Sequence, residues 1–241
     1  MRRPLATITL WIVLLMLSPA GGQEHDDDFD LLEAEYAEPA VSLADPLKPL
    51  NCVIFHLNDA AYTLVLKPVS NGYKAVTTKS MRIGLHNFFQ NVATPIRFTN
   101  CLLQGKGNDA CIELRRFLIN STAGCLGLGD PAQDKYGLDP IDEDLGQTLA
   151  VYGLKDGVYL VLPLLGPSTL RDAAGRMGDT FLNPGSYLEP TELYIGVAAL
   201  RTTNTFALRG DEYESIKADA VSPYTAMRSA YLQYRKRQIE Q

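Results

Sequence analysis

One predicted helix carries its polar residues in a single narrow stripe and is apolar around most of its remaining circumference. The stripe recurs at helical spacing and consists of Asp109, Glu113, Arg116 and Asn120. Most other positions are apolar, with Arg115 as the exception. A surface helix of a soluble protein normally has the opposite balance. The pattern predicts that protein core or lipid surrounds this helix, and that the stripe faces a solvated edge, a partner or a polar channel.

Local signals mark the two ends of this helix. Asn108 is predicted to cap its N-terminus, since a side-chain amide oxygen can accept from the first free backbone N–H groups. The helix is predicted to end near Ser121. A run rich in glycine and proline then predicts a chain reversal, and its residues are Gly124, Gly127, Gly129, Asp130 and Pro131.

The N-terminal residues have the pattern of an export signal. Arg2 and Arg3 precede an apolar segment of 13 residues, and small residues at 18–20 fit a cleavage site. The apolar segment is short against the roughly 20 residues that span a bilayer, so residues 1–20 are predicted to be a signal peptide. Residues 21–44 are predicted to be an acidic, disordered leader, because eight acids and no lysine or arginine lie between positions 23 and 38.

The rest of the chain is electrically balanced, with 20 basic and 20 acidic residues. A nucleic-acid partner is therefore not expected, because phosphate backbones are bound by clustered excess positive charge. The length suits one sizeable domain or two small ones, and one domain is predicted at residues 45–234, with a basic C-terminal tail at 235–241.

Export makes the four cysteines, Cys52, Cys101, Cys111 and Cys125, disulfide-permissive. Three full pairings are open to them, and small buried thiols are the alternative to any pairing. Their spacings contain no CxxC, and the chain has only three histidines, so no structural zinc site is predicted.

The sequence lacks a recognisable catalytic set. Gly166-Pro167-Ser168 resembles half of a nucleophile elbow, but Leu170 occupies the position where that motif requires glycine. Ser168 is better interpreted as a helix cap, and Asp144 with Gln147 as a capping box rather than a metal site. We therefore predict a protein that is not an enzyme, with no cofactor and no metal.

The remaining pattern predicts a mainly α fold of six to eight helices with short loops. Pro68 is predicted to interrupt the helix that begins near Asn51, because proline disfavours helix at the preceding residue. The most apolar run after the signal, Tyr159–Leu165, contains Pro163 and is predicted to be a short extended or edge segment.

Several long motifs, in order along the chain, resemble the MlaA (VacJ) family of phospholipid-binding outer-membrane proteins of Gram-negative bacteria. The resemblance covers roughly residues 45–184 and resumes weakly at 222–231. Its segments include VLKPVSNGYKAV at 65–76, RFLINSTAG at 116–124, GLGDPA at 127–132 and YLVLPLLGPSTLRDA at 159–173.

The resemblance implies a single ring-like domain of several helices, with at most a short extended hairpin, in the inner leaflet of the outer membrane. It implies removal of mislocalised phospholipid through an amphipathic channel to a periplasmic carrier, which maintains lipid asymmetry, and association with a trimeric porin. A scaffold that assembles envelope proteins without handling lipid is the alternative. The chain departs from the family pattern in lacking the lipidated cysteine that usually follows the signal. It also has Cys101 where the family usually has an acidic residue and Tyr152 where it often has tryptophan.

The predicted lipid-channel residues are the stripe and the glycines after it, Glu113, Arg116, Asn120, Gly124, Gly127 and Gly129. Residues given a structural role by the family motifs are Asn87, Phe88, Asp130, Pro131, Gln147, Arg171 and Asp172. No cysteine lies just after the predicted signal, so an export product without a lipid anchor is expected at the periplasmic face of the outer membrane.

Overall fold

The computed structural model describes residues 43–220 and 222–240. The predicted signal peptide and nearly all of the predicted acidic leader lie outside the described residues. The described part is mainly helical with one two-stranded antiparallel sheet, so the predicted fold class is confirmed.

The helices follow one another through short connections. The first half contains α1 (Lys48–Ala61), α2 (Lys67–Val76), α3 (Lys79–Val92), α4 (Thr94–Leu103), α5 (Gly107–Thr122) and α6 (Pro131–Asp134). The second half contains α7 (Leu145–Val151), α8 (Leu170–Asp179), α9 (Thr191–Asp219) and α10 (Pro223–Ile239), with short 3-10 turns at Thr180–Leu182 and Pro184–Tyr187.

The predicted helix break at Pro68 is wrong. A π-helical segment, Tyr62–Leu66, joins α1 directly to α2, and Lys67 keeps a right-handed helical conformation. A π segment shifts the backbone hydrogen-bond pattern by one residue, which lets the chain pass a proline that has no N–H to donate.

The hairpin pairs β1 (Tyr159–Leu162) with β2 (Gly166–Thr169), and Pro163 lies in its turn. The predicted short extended segment is therefore confirmed. Two asparagines two turns apart on α1 satisfy the other edge of β1. Asn51 donates to the carbonyl of Tyr159 (3.0 Å) and accepts from the N–H of Val161 (2.9 Å). Asn58 bonds Leu162 and Leu164 in the same way. A helix thus takes the place that a third strand would occupy, which protects the sheet edge.

Helices α7 and α8 cross at a glycine contact. A Cβ atom on Gly175 would lie 2.3 Å from the backbone nitrogen of Gly146, closer than any real contact. Glycine therefore sets the separation of these two helices.

Three predicted boundaries differ from the structure. Helix α5 begins at Gly107 with Lys106 at its N-cap, so Asn108 is inside the helix rather than capping it. Thr169, not Ser168, caps α8 by accepting from the N–H of Asp172 (3.2 Å), because Thr169 is the residue that directly precedes the helix. Finally, α10 continues through Arg235 to Ile239 and buries Arg235, so the domain does not end at residue 234.

The described residues bury polar groups more than apolar ones. Eighteen polar or charged residues are buried, against ten hydrophobic residues other than glycine and proline. Thirty-three large hydrophobic side chains are exposed. Soluble domains normally bury their aliphatic side chains and leave charges outside. The described helices include none that is both long and apolar enough to cross a membrane.

Candidate functional site

The polar stripe of α5 points into the protein. Glu113 is fully buried, and Arg116 and Asn120 retain only 7% and 6% exposure. The apolar neighbours Leu114 and Leu118 are on the outside, at 44% and 54% exposure. The interpretation of the stripe as a solvated outer edge is therefore wrong.

Each carboxylate oxygen of Glu113 has a donor. Arg97 of α4 donates from Nε to Oε2 (2.7 Å), and the N–H of Ile141 donates to Oε1 (3.0 Å). Arg116 lies one turn farther along α5, with its Nε 3.8 Å from Oε1. A buried carboxylate is tolerated when it is paired and hydrogen-bonded in this way.

Asp130 joins the two remaining stripe residues. Its carboxylate accepts from Arg116 Nη2 (2.7 Å) and from Asn120 Nδ2 (2.8 Å), and Asn120 Oδ1 accepts from the N–H of Ala132 (3.0 Å). Arg116 also donates to the carbonyl of Leu138. Burial opposes the charge on Asp130, but the bonds from Arg116 and Asn120 outweigh it and lower the pKa of this carboxyl. The stripe residues do not hydrogen-bond one another directly: Asp130 bridges Arg116 and Asn120, and Arg116 lies 3.8 Å from Glu113.

The glycine-rich turn after α5 is tightly packed. A Cβ on Gly124 would lie 2.5 Å from the carbonyl oxygen of Asn120, and one on Gly127 would lie 2.5 Å from the side chain of Asn91. Cys125 (φ 53°) and Leu126 (φ 62°) adopt the left-handed conformation, which is costly for residues with a side chain. Close approach accounts for glycine at 124 and 127. A role for Gly124, Gly127 and Gly129 in bending a channel wall remains a prediction.

A second buried network contains three of the family-motif residues. Arg171 donates from Nη2 to Asp172 (2.8 Å) and forms an ion pair with Asp156 (2.8 Å). Arg235 donates to both Asp172 (3.0 Å) and Asp144 (2.7 Å). Burial raises the pKa of the Asp172 carboxyl, and the stronger opposing effects of Arg235, Tyr231 and Arg171 lower it overall. The third motif residue, Gln147, is buried beside this network and donates to the carbonyl of Asp142 (2.7 Å). Asp144 caps α7 as predicted, by accepting from the N–H of Gln147 (2.8 Å).

A third network connects α4 to α7 and α8. Asn100 donates to Asp179 (2.9 Å) and accepts from the hydroxyl of Thr148 (2.8 Å). Glu143 pairs with Lys106 at 2.6 Å. Burial is the main cause of the raised pKa of Asp179 and of the Cys101 thiol, the latter to about 12. These networks hold the helices together through polar contacts where soluble bundles use aliphatic ones.

Outward apolar side chains follow one helical stripe along α1, the π segment and α2. The stripe comprises Leu50, Val53, Leu57, Leu64, Val65, Val69 and Val76, each more than half exposed. Single exposed aliphatic residues are ordinary, whereas a continuous row marks a surface that contacts an apolar partner or a membrane.

The other predicted residues have structural surroundings of a simpler kind. Asn87 and Phe88 are half-buried in α3, and Phe88 contacts Phe89 edge-on at 5.6 Å. Pro131 is buried at the first turn of α6. The four cysteines are free thiols, and only Cys101 is fully buried. No group of metal-ligating side chains is present in the part of the chain that the structure describes.

Sequence reasoning missed several members of these networks. Arg97, Asn100 and Asp179 are distant in sequence from the residues they bond, so their partners could not be read from local spacing. One signal was available, because Thr94, Arg97, Asn100 and Cys101 recur at helical spacing on α4. The run of positive residues around Arg235 predicts a basic tail, and nothing in that run indicates its buried partners Asp144 and Asp172.

The described helices bury paired charges and expose aliphatic side chains. These features define a class of helical protein whose surface contacts lipid or another apolar partner. Comparison with known proteins gives the particular family. The MlaA lipoprotein family profile matches residues 43–238, and the chain belongs to this family.

An uncharacterized protein of Rickettsia conorii is 30% identical over 236 residues, which cover 97% of this chain and 94% of its own length. The intermembrane phospholipid transport system lipoprotein MlaA of Escherichia coli is 28% identical over 197 residues, which cover 79% of this chain and 76% of the relative. A solved chain reported under the heading "Structural basis for maintenance of bacterial outer membrane lipid asymmetry" superimposes with a TM-score of 0.71 and 29% identity, covering 81% of this chain and 99% of that one.

Proposed function

We propose that this protein transports phospholipid, by removing mislocalised phospholipid from the outer membrane and passing it to a periplasmic carrier without covalent chemistry. The observation that carries the proposal is the inverted distribution of polarity, in which Glu113, Arg116 and Asn120 are buried while aliphatic side chains of the same helix are exposed. Acyl chains can contact such an exterior, whereas a headgroup requires polar groups.

The paired charges of the interior support this proposal. An unpaired charge at membrane depth is expensive, and every carboxylate and guanidinium of the Arg97–Glu113–Arg116–Asp130 network has an opposite partner. A wall made in this way can sit beside lipid and still present polar backbone and side-chain atoms along a headgroup path. In this proposal Glu113, Arg116 and Asn120 stand in the wall of that path, and Gly124, Gly127 and Gly129 form the turn at its end.

The relatives support the same substrate class. The Escherichia coli relative is named as a lipoprotein of intermembrane phospholipid transport, and the solved chain comes from work on outer-membrane lipid asymmetry. We extend this to the present chain as export to the periplasmic face of the outer membrane, with a trimeric porin and a periplasmic carrier as partners. Intact-mass measurement of the exported protein should then give a start near Gly21 or Gln23, and retention of residues 1–20 would contradict the predicted signal cleavage.

Two measurements test transport itself. Organic extraction and mass spectrometry of the purified protein should recover phospholipid, and the protein should accelerate transfer of a fluorescent phospholipid between donor and acceptor vesicles. A folded protein that repeatedly lacks bound lipid and leaves the transfer rate at the protein-free value would reject transport and favour an envelope scaffold.

A further inference from the structure

A cavity outside the networks described above lies between α3 and α9. Its volume is about 170 Å³, and its lining is made of His86, Phe89, Gln90, Arg201, Asn204, Thr205 and Arg209. Arg201, Thr205 and Arg209 are spaced by four residues and therefore share one side of α9. The lining contains no carboxylate.

The two arginines of this cavity, Arg201 and Arg209, are solvent-exposed and differ from the arginines of the interior in their pairing. Arg97, Arg116, Arg171 and Arg235 each form an ion pair with a carboxylate. Neither Arg201 nor Arg209 has a hydrogen-bond or ion-pair partner among the described residues. Two guanidinium groups thus line one small cavity with their charge uncompensated.

Desolvation and the positively charged side chains around the cavity lower the pKa values of Arg201 and His86. Desolvation lowers the pKa of Arg201, and the positive charge of Arg97 lowers it further. Burial likewise lowers the pKa of His86, followed by the effects of Arg209 and Arg201. Arg97 is itself neutralised by Glu113, but Arg201 and Arg209 are not. The cavity therefore has the electrostatic character of an anion site.

A second cavity provides a contrast. It lies between α2 and α9, and its lining includes Lys67, Lys74, Asp211 and Glu214. Lys67 is paired with Glu214 at 2.8 Å, and Lys74 lies 3.7 Å from Asp211. Its cations already have anionic partners, so it lacks the excess positive charge that distinguishes the Arg201–Arg209 cavity.

We propose that the cavity between α3 and α9 binds the phosphate group of a phosphate ester, with Arg201 and Arg209 as its principal ligands. Guanidinium groups bind phosphate through paired, charge-assisted hydrogen bonds. His86 and the side-chain amide of Gln90 are further donors at the same wall. The side chain of Asn204 is held by the protein, since its amide donates to the carbonyl of Arg82 (2.9 Å) and accepts from Tyr73 (2.9 Å).

The size and lining of the cavity limit the class of ligand that it can bind. Its volume suits a phosphate group with its ester oxygens and excludes a pair of acyl chains. Phe89 adds one apolar contact beside the charged groups, as the first carbons of a glycerol ester would need. The headgroup of a phospholipid has these properties, and so does a soluble phosphate ester. We choose the phospholipid because of the transport function proposed above.

Calorimetric titration of the delipidated full chain in a non-ionic detergent tests the site. The probes are dihexanoyl phosphatidylglycerol below its micelle concentration, dihexanoylglycerol, which lacks the phosphate, and inorganic phosphate. Arg201→Gln with Arg209→Gln should weaken binding of the phosphatidylglycerol by about a hundredfold, since removal of each charge-assisted hydrogen bond should weaken it about tenfold. Binding of dihexanoylglycerol should be unchanged.

The matched control is Arg115→Gln with Arg237→Gln, which removes the same charge from two exposed arginines outside the cavity. This control should bind the phosphatidylglycerol as the native chain does. Since Arg201 and Arg209 have no protein partner, their double variant should keep the native thermal midpoint, so weak binding would not be an effect of unfolding.

The outcomes separate this site from the proposed function. If the native chain carries and transfers phospholipid and the Arg201/Arg209 variant matches the control, the phosphate site is rejected and transport stands. If the native chain binds inorganic phosphate through these arginines but never carries lipid, the site stands with a soluble ligand and transport is rejected. Failure of the native chain to bind either phosphate probe rejects the site.

Discussion

Arg97 Nε lies 2.7 Å from Glu113 Oε2, and this ion pair joins α4 to α5 in the interior of the protein. Glu113 is fully buried and the Arg97 side chain is 11% exposed. Neither charge has access to enough water to be stable alone, so the two residues depend on each other.

Glu113→Gln should therefore destabilise the fold strongly. Loss of one partner from a buried ion pair costs about 3–5 kcal/mol, because the other charge remains buried. Denaturant unfolding in detergent measures this free energy. Adding Arg97→Met to Glu113→Gln should recover part of the loss, since no lone charge remains, and the exposed Arg115→Gln on the same helix is the control. Equal stability of the Glu113→Gln and Arg115→Gln variants would contradict this role of the pair.

Asp130 gives the stability a defined dependence on pH. Its bonds from Arg116 and Asn120 lower its pKa in the folded protein. A carboxyl group of this kind stabilises the fold above its unfolded pKa of about 4, and that stabilisation is lost as the pH falls through the folded pKa. Asp130→Asn should therefore lose less stability than the native chain on acidification below about pH 4. Asp134→Asn, which changes an exposed carboxylate, should keep the native dependence of the unfolding free energy on pH. If Asp130→Asn showed the same dependence of unfolding free energy on pH as the native chain, the pKa of this carboxyl would not be lowered by folding.

Asn120→Leu tests whether the polar stripe of α5 is part of the lipid path. Because Asn120 is buried and bonded, this change should affect stability as well as transfer. Asn120 bonds Asp130 and the N–H of Ala132, so leucine leaves both without this partner. Each unsatisfied buried group costs about 1–3 kcal/mol, so a loss of stability should accompany any loss of transfer. Asn120→Asp keeps the acceptor for Ala132 but places a carboxylate against Asp130. Vesicle transfer rates, normalised to the folded fraction, should fall for both variants, and normal rates would reject a place in the path.

Gly175→Ala should prevent the close crossing of α7 and α8. Its Cβ would overlap the backbone of Gly146 at 2.3 Å, and backbone atoms cannot move aside as a flexible side chain can. The control is Gly72→Ala in α2, where a Cβ would have no neighbour within 4 Å. This second change should stabilise the helix by about 1 kcal/mol, the usual difference between alanine and glycine. The thermal unfolding midpoints of Gly175→Ala and Gly72→Ala are then compared. Similar midpoints for the two variants would contradict the tight crossing of α7 and α8.

Leu64→Asp should weaken membrane association without unfolding the protein. Leu64 is 74% exposed, so the change removes no core contact, but a carboxylate facing acyl chains costs about 2.5–3.5 kcal/mol. Vesicle flotation measures the membrane-bound fraction. Ser80→Asp adds the same charge at an exposed polar position and should float as the native chain does. Equal flotation of the two variants would show that the stripe containing Leu64 does not contact lipid.

Local patterns in the sequence were sufficient for the helical class, the short hairpin at Tyr159 and the cap at Asp144, because backbone hydrogen bonding and side-chain periodicity act over a few residues. The stripe of α5 was also visible as a pattern. Its orientation was not, because a row of polar residues is compatible with a solvated face, a channel or a buried network. Only the contacts with Arg97 and Asp130 show that the row faces the interior rather than the outer surface.

The sequence by itself thus determined that α5 has one polar side, that the chain has no excess of charge after residue 38, and that its motifs match one family. The tertiary structure decided that the polar side faces inward, that Pro68 is accommodated by a π segment, and that Arg235 belongs to the interior with Asp172. The orientation of α5 and the place of Arg235 depend on groups far apart in the chain, since the cost of burying a charge depends on the partner that folding brings to it.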